Sequence, residues 1–180
     1  MTACSFSNEV NEIDKTIDYL LLGEVDSVDF EIFNTNPDSL IRILKDKKFE
    51  NIEDEAILDY LKSVCYNVNN EADSSCFYLG LSIQKNPNNY FSNYDMGVLL
   101  YNLAVEKHRT TSLTYKGYLE SLEKIKPSLT KASYYFNICD SLKPCDSVTM
   151  SALKEIYFTI GDSINYKRIE NNLINCGYNQ

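Results

Sequence analysis

Apolar residues recur every three or four positions along most of the chain, which is the spacing of one face of an α-helix. The pattern predicts helices over 9–22, 39–48, 53–67, 72–84 and 90–109. Residues 25–33 alternate apolar and acidic side chains as a strand would, but no second strand candidate exists to pair with them. We therefore interpret this stretch as a short helix or an irregular connector, and the chain is predicted to be all-α.

The last third of the chain continues the helical pattern. A polar break at 110–112 precedes a helix predicted over 115–125, and Pro127 is expected to open a separate helix that ends near Pro144. Two closing helices are predicted over 147–160 and 163–175. Because no linker rich in Gly, Pro or Ser divides the chain, a single domain over 1–180 is predicted.

Small and aromatic residues recur in one register, about 34 residues apart, from Ala56 onward. The first repeat carries small residues at Ser63, Ser75 and Ser82 and an aromatic residue at Tyr66. A period of this length is typical of stacked helical hairpins, because one hairpin cannot bury its apolar face without a neighbour.

The second and third repeats depart from the pattern in different ways. The second carries a small residue at Gly97, but its second helix, with Ala132, arrives late, so an insertion is predicted near 105–127. The third replaces two small residues by Lys154 and Tyr166. Because a small residue lets two helices approach closely, the lysine is expected to weaken the contact within the last hairpin.

These residues and their spacing resemble the tetratricopeptide repeat family, in particular bacterial lipoproteins of that type. The resemblance implies a right-handed superhelix of antiparallel helix hairpins, an α-solenoid. The predicted layout is a tail over 1–8, N-terminal helices over 9–55 that serve as a cap or a degenerate hairpin, and repeats over 56–180. An irregular helical bundle is the alternative.

The resemblance also implies a function, which is to bind another protein or a peptide along the concave surface formed by the first helix of each repeat. The positions that line this surface in the family nominate eight partner-binding residues: Tyr60, Asn67, Phe91, Tyr94, Tyr101, Asn102, Glu155 and Phe158. The groove would be aromatic and rich in amides, which suits an extended peptide or an inserted helix. Alternatively, these residues pack against the N-terminal helices.

The chain carries a formal net charge of −9, which argues against nucleic acid as a partner because phosphate binding needs clustered Lys and Arg. Residues 1–60 contain 15 acidic and 5 basic side chains, a balance of −10, whereas the remaining residues balance at +1. A localised negative charge can steer a protein partner with a basic surface, and one version of this function is an immunity-type inhibitor of a basic toxin. A solvated acidic face is the alternative.

A basic group lies around the insertion in this otherwise acidic chain. It consists of Lys107, Arg109, Lys116, Lys124, Lys126 and Lys131. This group either forms a ridge for a second partner or pairs with the acidic N-terminal third.

The first five residues resemble the end of a bacterial lipoprotein processing box, in which Cys4 would receive the lipid. This resemblance implies a lipid-anchored protein of the bacterial periplasm or outer surface; a cytoplasmic location is the alternative. No run of about 18 apolar residues exists that could span a bilayer. A monomer is expected.

The residues that carry chemistry do not form a recognisable catalytic motif, so a non-enzymatic protein without cofactor or metal is predicted. Six cysteines form no CxxC pair, and His108 is the only histidine, expected in solvent. Cys65 and Cys139 are predicted to pack as small hydrophobic residues. Cys139 and Cys145 could pair in an oxidising compartment, but free thiols are favoured. A hydrolase built from separated carboxylates is the alternative from another class.

Overall fold

The computed structural model describes residues 13–18, 37–46, 52–111 and 115–178, and every regular element among them is a helix. The helices are α1 (13–18), α2 (Pro37–Asp46), α3 (Ile52–Val68), α4 (Ala72–Lys85), α5 (Tyr90–Thr111), α6 (Tyr115–Leu142), α7 (Ser147–Ile160) and α8 (Ser163–Asn175). The predicted all-α fold is confirmed for these residues. The predictions for 25–33 and for Cys4 lie outside them.

The chain divides into two compact units, Met1–Ser92 and Asn93–Gln180, and the division falls inside α5. In the first unit α3 packs against α2 and against α4. Its core includes Leu58, Leu61 and Leu79, which are 2% exposed or less. Apolar burial of this extent is the main stabilising contribution to such a unit.

The α3–α4 hairpin shows how the small residues of the first repeat are used. Ser63, Ser75 and Ser82 are all buried, and the Ser82 hydroxyl donates to the backbone carbonyl of Ala56 at 2.6 Å. Asn70 closes the turn in the left-handed conformation, with φ of 61°, which asparagine tolerates better than most residues. The small side chains therefore bring the two helices close enough for direct hydrogen bonding between them.

In the second unit α7 packs against α6 and against α8, around a core that includes Phe136, Leu153, Ile156 and Ile169. Asp146 and Asp162 cap the N-termini of α7 and α8 with their carboxylates. Gly161, at φ of 79°, ends α7, and the next N–H donates back to the carbonyl of Tyr157 at 2.9 Å. These local signals place both helices where the sequence predicts them.

The prediction that Pro127 opens a separate helix is wrong, because α6 runs without interruption through Pro127. A proline inside a helix removes one hydrogen bond and costs about 3 kcal/mol. On either side of it, Ile125 and Leu129 are both buried in the core of the second unit. Their burial offsets that cost and favours a helix that continues through the proline. The predicted insertion near 105–127 thus lies within α5 and α6, apart from residues 112–114, which are outside the described ranges.

The expectation of free thiols is wrong for two cysteines, because Cys145 and Cys176 form a disulfide. The loop after α6 and the residue after α8 bring their Cα atoms to 5.5 Å, a proximity that the spacing in the sequence does not reveal. Cys65 and Cys139 form no disulfide and are completely buried, as predicted. Burial raises the pKa of each to about 12, so both stay protonated and packed at neutral pH.

Candidate partner-binding site

Three of the predicted partner-binding residues belong to the first unit. Tyr60 is only 5% exposed, and its ring packs against that of Phe91 at 5.8 Å between centroids. Phe91 is itself partly buried, whereas Asn67 is exposed near the end of α3. Tyr60 therefore serves packing in this structure and has little surface to offer to a partner.

The other five predicted residues belong to the second unit, where three of them come together. Tyr101 on α5 donates its hydroxyl to Glu155 on α7 at 2.5 Å, and Glu155 lines the same groove as Phe158. Tyr94 instead packs its ring against the core residue Phe136, at 5.7 Å between centroids. Asn102 is exposed.

The groove lies on α7 and α8 and has a volume of about 410 Å³. It is lined by Ser151, Lys154, Glu155, Phe158 and Tyr166. The four lining residues from α7 are spaced by three and four positions, so one face of that helix forms the floor. Phe158 is 74% exposed, compared with 61% for Phe77 and 62% for Tyr134.

Lys154 and Tyr166, the two departures of the third repeat from its pattern, contact each other. The Lys154 ammonium lies 5.3 Å from the centre of the Tyr166 ring and 3.2 Å from a carboxylate oxygen of Glu170. The Lys154 side chain is only 14% exposed. The lysine, which was expected to weaken the contact between α7 and α8, instead takes part in a cation–π contact and an ion pair across it.

Glu155 is held in place from the neighbouring helix. Burial, together with the hydrogen bond and the charge of Glu155, raises the pKa of Tyr101 to about 12. Tyr101 therefore remains a neutral hydrogen-bond donor across the physiological pH range. The result is a carboxylate with a fixed orientation beside an exposed aromatic ring.

The raised pKa of Tyr101 gives a testable prediction. Because the folded pKa of about 12 exceeds the ordinary value near 10, the contact stabilises the fold fully below pH 10 and loses this effect as pH rises toward 12. The difference in tyrosinate absorbance between the wild type and Tyr101→Phe should show one group titrating near pH 12. Glu155→Gln should lower that pKa only in part, because burial is its largest cause, and Glu123→Gln on α6 should leave it unchanged. A Tyr101 that titrates near pH 10 in the wild type would contradict the contact.

His108 does not lie free in solvent as the sequence analysis expected. It is half-buried, with Nδ1 2.6 Å from the Ser121 hydroxyl and its ring against Tyr118. Ser121 is 3% exposed and donates its hydroxyl hydrogen to the carbonyl of Tyr118 at 2.8 Å. A serine that is buried, and whose hydroxyl hydrogen is already bonded to a backbone carbonyl, is poorly placed to act as a nucleophile.

The first unit contains two neighbouring carboxylates, and both form ion pairs with a lysine. Lys85 on α4 lies 2.6 Å from Asp59 and 3.0 Å from Glu55, both on α3. The Lys85 ammonium bridges both carboxylates and cross-links the hairpin, and Lys62 lies 3.3 Å from Asp59, so two cations balance the two carboxylates. This group is therefore an ion-pair network rather than a general acid beside a general base. In the part of the chain that the structure describes, no three His, Cys, Asp or Glu residues are arranged to hold a metal ion.

The basic group predicted around the insertion is partly neutralised within α6. Lys126 lies 2.6 Å from Glu123, and Lys116 lies 3.8 Å from Glu120. Exposed pairs of this kind contribute little to stability, but they reduce the positive charge that a ridge would present.

Comparisons with protein-family models, curated proteins and solved structures gave no match for this chain. None of the helices in the described ranges has the length and apolar character needed to cross a membrane. Sequence reasoning nominated Tyr101, Glu155 and Phe158, but it missed Lys154 and Tyr166 as parts of a site. The sequence did offer one signal, because both residues replace small residues of the repeat. Two such replacements on facing helices can pack against each other.

Proposed function

We propose that this protein is a non-enzymatic helical-repeat module of tetratricopeptide type that binds a partner polypeptide through the α7–α8 groove. The observation that carries the proposal is the exposed ring of Phe158 beside polar side chains that the fold already holds in place. Aromatic side chains are the commonest anchors of protein interfaces. A preformed site also loses less side-chain entropy on binding, which favours affinity.

The repeat interpretation is supported by the hairpins at both ends of the pattern. In the first repeat the small residues are buried between α3 and α4, and in the third the replacements Lys154 and Tyr166 pack against each other between α7 and α8. Positions that carry the repeat pattern are thus buried or in contact between the paired helices of both hairpins. The right-handed superhelix is the arrangement that such hairpins adopt when they stack, and we infer it here.

The disulfide supports an exported location. Cys145 and Cys176 form a disulfide, and such bonds persist in oxidising compartments such as the bacterial periplasm. We infer that the protein works in the periplasm or at the outer surface, where the lipid proposed for Cys4 would tether it to a membrane.

A peptide selection tests the proposed groove. Peptides from a random dodecapeptide display library would be selected on the immobilised wild-type protein, and their affinities would be measured for Phe158→Ala and Phe77→Ala. Phe77 on α4 is 61% exposed, so it is a matched exposed phenylalanine outside the groove. We expect roughly tenfold or greater weakening by Phe158→Ala, as for an interface anchor, and little change by Phe77→Ala.

The opposite pattern would reject the proposal. Selected peptides that bind Phe158→Ala as tightly as the wild type would show that this groove is not the binding site. Circular dichroism of both variants should give the wild-type helical signal, because neither ring lies in the core.

A further inference from the structure

The groove contains one carboxylate whose charge is not matched by a cation. Lys154 is paired with Glu170, whereas no Lys, Arg or His among the described residues lies within 4.0 Å of the Glu155 carboxylate. The group that holds Glu155 is the hydroxyl of Tyr101, which donates a hydrogen bond without adding positive charge. The charged side chains at the groove thus leave one negative charge in excess.

The aromatic surface of the groove lies next to this carboxylate. Phe158 follows Glu155 by three positions on α7, so both side chains lie on the same face of the helix. One side of the Phe158 ring contacts Tyr166, with 6.0 Å between centroids and an angle of 51° between the ring planes. Because Phe158 is still 74% exposed as a residue, its side chain remains accessible to a ligand.

A carboxylate and an open aromatic ring at this spacing suit one kind of ligand group. Aromatic faces attract cations, and arginine does so while its planar guanidinium donates hydrogen bonds to a carboxylate. Lysine can supply the charge but not the planar stacking surface. Fixing Glu155 through Tyr101 removes part of the entropy cost of forming such an ion pair.

We propose that the α7–α8 groove binds an arginine side chain of a basic partner segment, with the guanidinium stacked on Phe158 and paired with Glu155. This inference rests on the proposed function and names the chemistry of the partner. The charge that selects a cation is local, because Glu155 leaves one negative charge in excess at the groove although residues 61–180 as a whole balance at +1.

The test uses the full chain and the peptides selected on it. Each peptide with a fixed arginine would be synthesised with arginine and with citrulline, which has nearly the same shape but no charge. We expect the citrulline form to bind the wild type roughly tenfold or more weakly. Glu155→Gln keeps an acceptor for Tyr101 but removes the charge, so it should reduce that discrimination to roughly threefold or less.

Glu123→Gln is the matched control, because it removes the same charge from an exposed position on α6, where Glu123 pairs with Lys126. Its discrimination between arginine and citrulline should equal that of the wild type. A loss of discrimination as large as that of Glu155→Gln would mean that net charge, not the groove, recognises the ligand, and it would overturn the inference.

The remaining outcomes separate this inference from the proposed function. Peptides that depend on Phe158 but lack arginine, or that bind equally well with citrulline, would overturn the arginine site and leave the groove as a binding surface. Self-association abolished by Phe158→Ala would assign the groove to a second copy and would also overturn it. If no selected peptide depends on Phe158, the proposed function fails first and this inference fails with it.

Discussion

Replacing both Cys145 and Cys176 by serine is expected to lower the free energy of unfolding by about 3–4 kcal/mol. The disulfide joins residues 31 positions apart and closes a loop that contains all of α7 and α8. Without it, the unfolded chain gains the conformational freedom that the cross-link removes. The Tyr178 hydroxyl also donates to the carbonyl of Cys145 at 2.9 Å. This hydrogen bond is a second link between the chain after α8 and the loop before α7, and we expect it to weaken when the disulfide is removed.

Urea unfolding followed by far-ultraviolet circular dichroism measures this loss, since the chain contains no tryptophan to report by fluorescence. The reduced wild type should unfold at the same urea concentration as the double serine variant, because both lack the same bond. Native-state hydrogen exchange should place the loss of protection in α7 and α8. Equal midpoints for the oxidised wild type and the double variant would contradict a stabilising disulfide.

The helix boundaries could be predicted closely wherever a local signal marks the end. Helix α7 was expected over 147–160 and α8 over 163–175, and both bounds agree with the structure. Asp146 and Asp162 cap the starts with their carboxylates, and Gly161 supplies the left-handed residue between the helices. Such interactions involve residues only a few positions apart, so their identities alone indicate them.

The features that the sequence analysis missed depend on contacts between distant residues. The local rule for Pro127 predicts a break, but the burial of Ile125 and Leu129 on both sides outweighs it. The disulfide partners could not be identified for the same reason, because spacing along the chain does not say which cysteines meet.

The candidate site was predictable in part. Helical spacing places Glu155 and Phe158 on one face of α7, and the repeat register associates them with Tyr101 on α5. The register does not say how deeply each position is buried, and Tyr60 occupies an equivalent kind of position yet lies in the core. The period of the repeat therefore predicts which residues share a helix face, but it does not predict which of them other helices bury.

Truncating Phe136 to alanine is expected to cost about 3–5 kcal/mol, because its ring is 1% exposed in the core of the second unit. The ring also explains Gly97, the small residue of the second repeat. A Cβ atom built on Gly97 would lie 3.0 Å from three carbons of the Phe136 ring. An enclosed ring cannot move away, so Gly97→Ala should lower stability by about 1 kcal/mol, since the overpacking outweighs the gain in helix propensity.

Gly80 on α4 is the matched control for this close approach. It is an exposed helical glycine, and a Cβ atom there would meet nothing within 4 Å. Gly80→Ala should therefore raise the free energy of unfolding by about 0.5–1 kcal/mol, the usual gain from removing a glycine inside a helix. If Gly97→Ala stabilises the protein as much as Gly80→Ala does, the proposed contact between α5 and α6 is wrong.

The decisive measurement is the double-mutant cycle of Gly97→Ala with Phe136→Ala, again by urea unfolding. Once the ring is absent, the methyl group that Gly97→Ala introduces has space, and the same substitution should change from destabilising to stabilising. That reversal would show that a small residue is needed at position 97 because of the contact with Phe136, and not because of the conformation of α5. It would also explain physically why the repeat requires a small residue at this position, since a large side chain on the facing helix already fills the space.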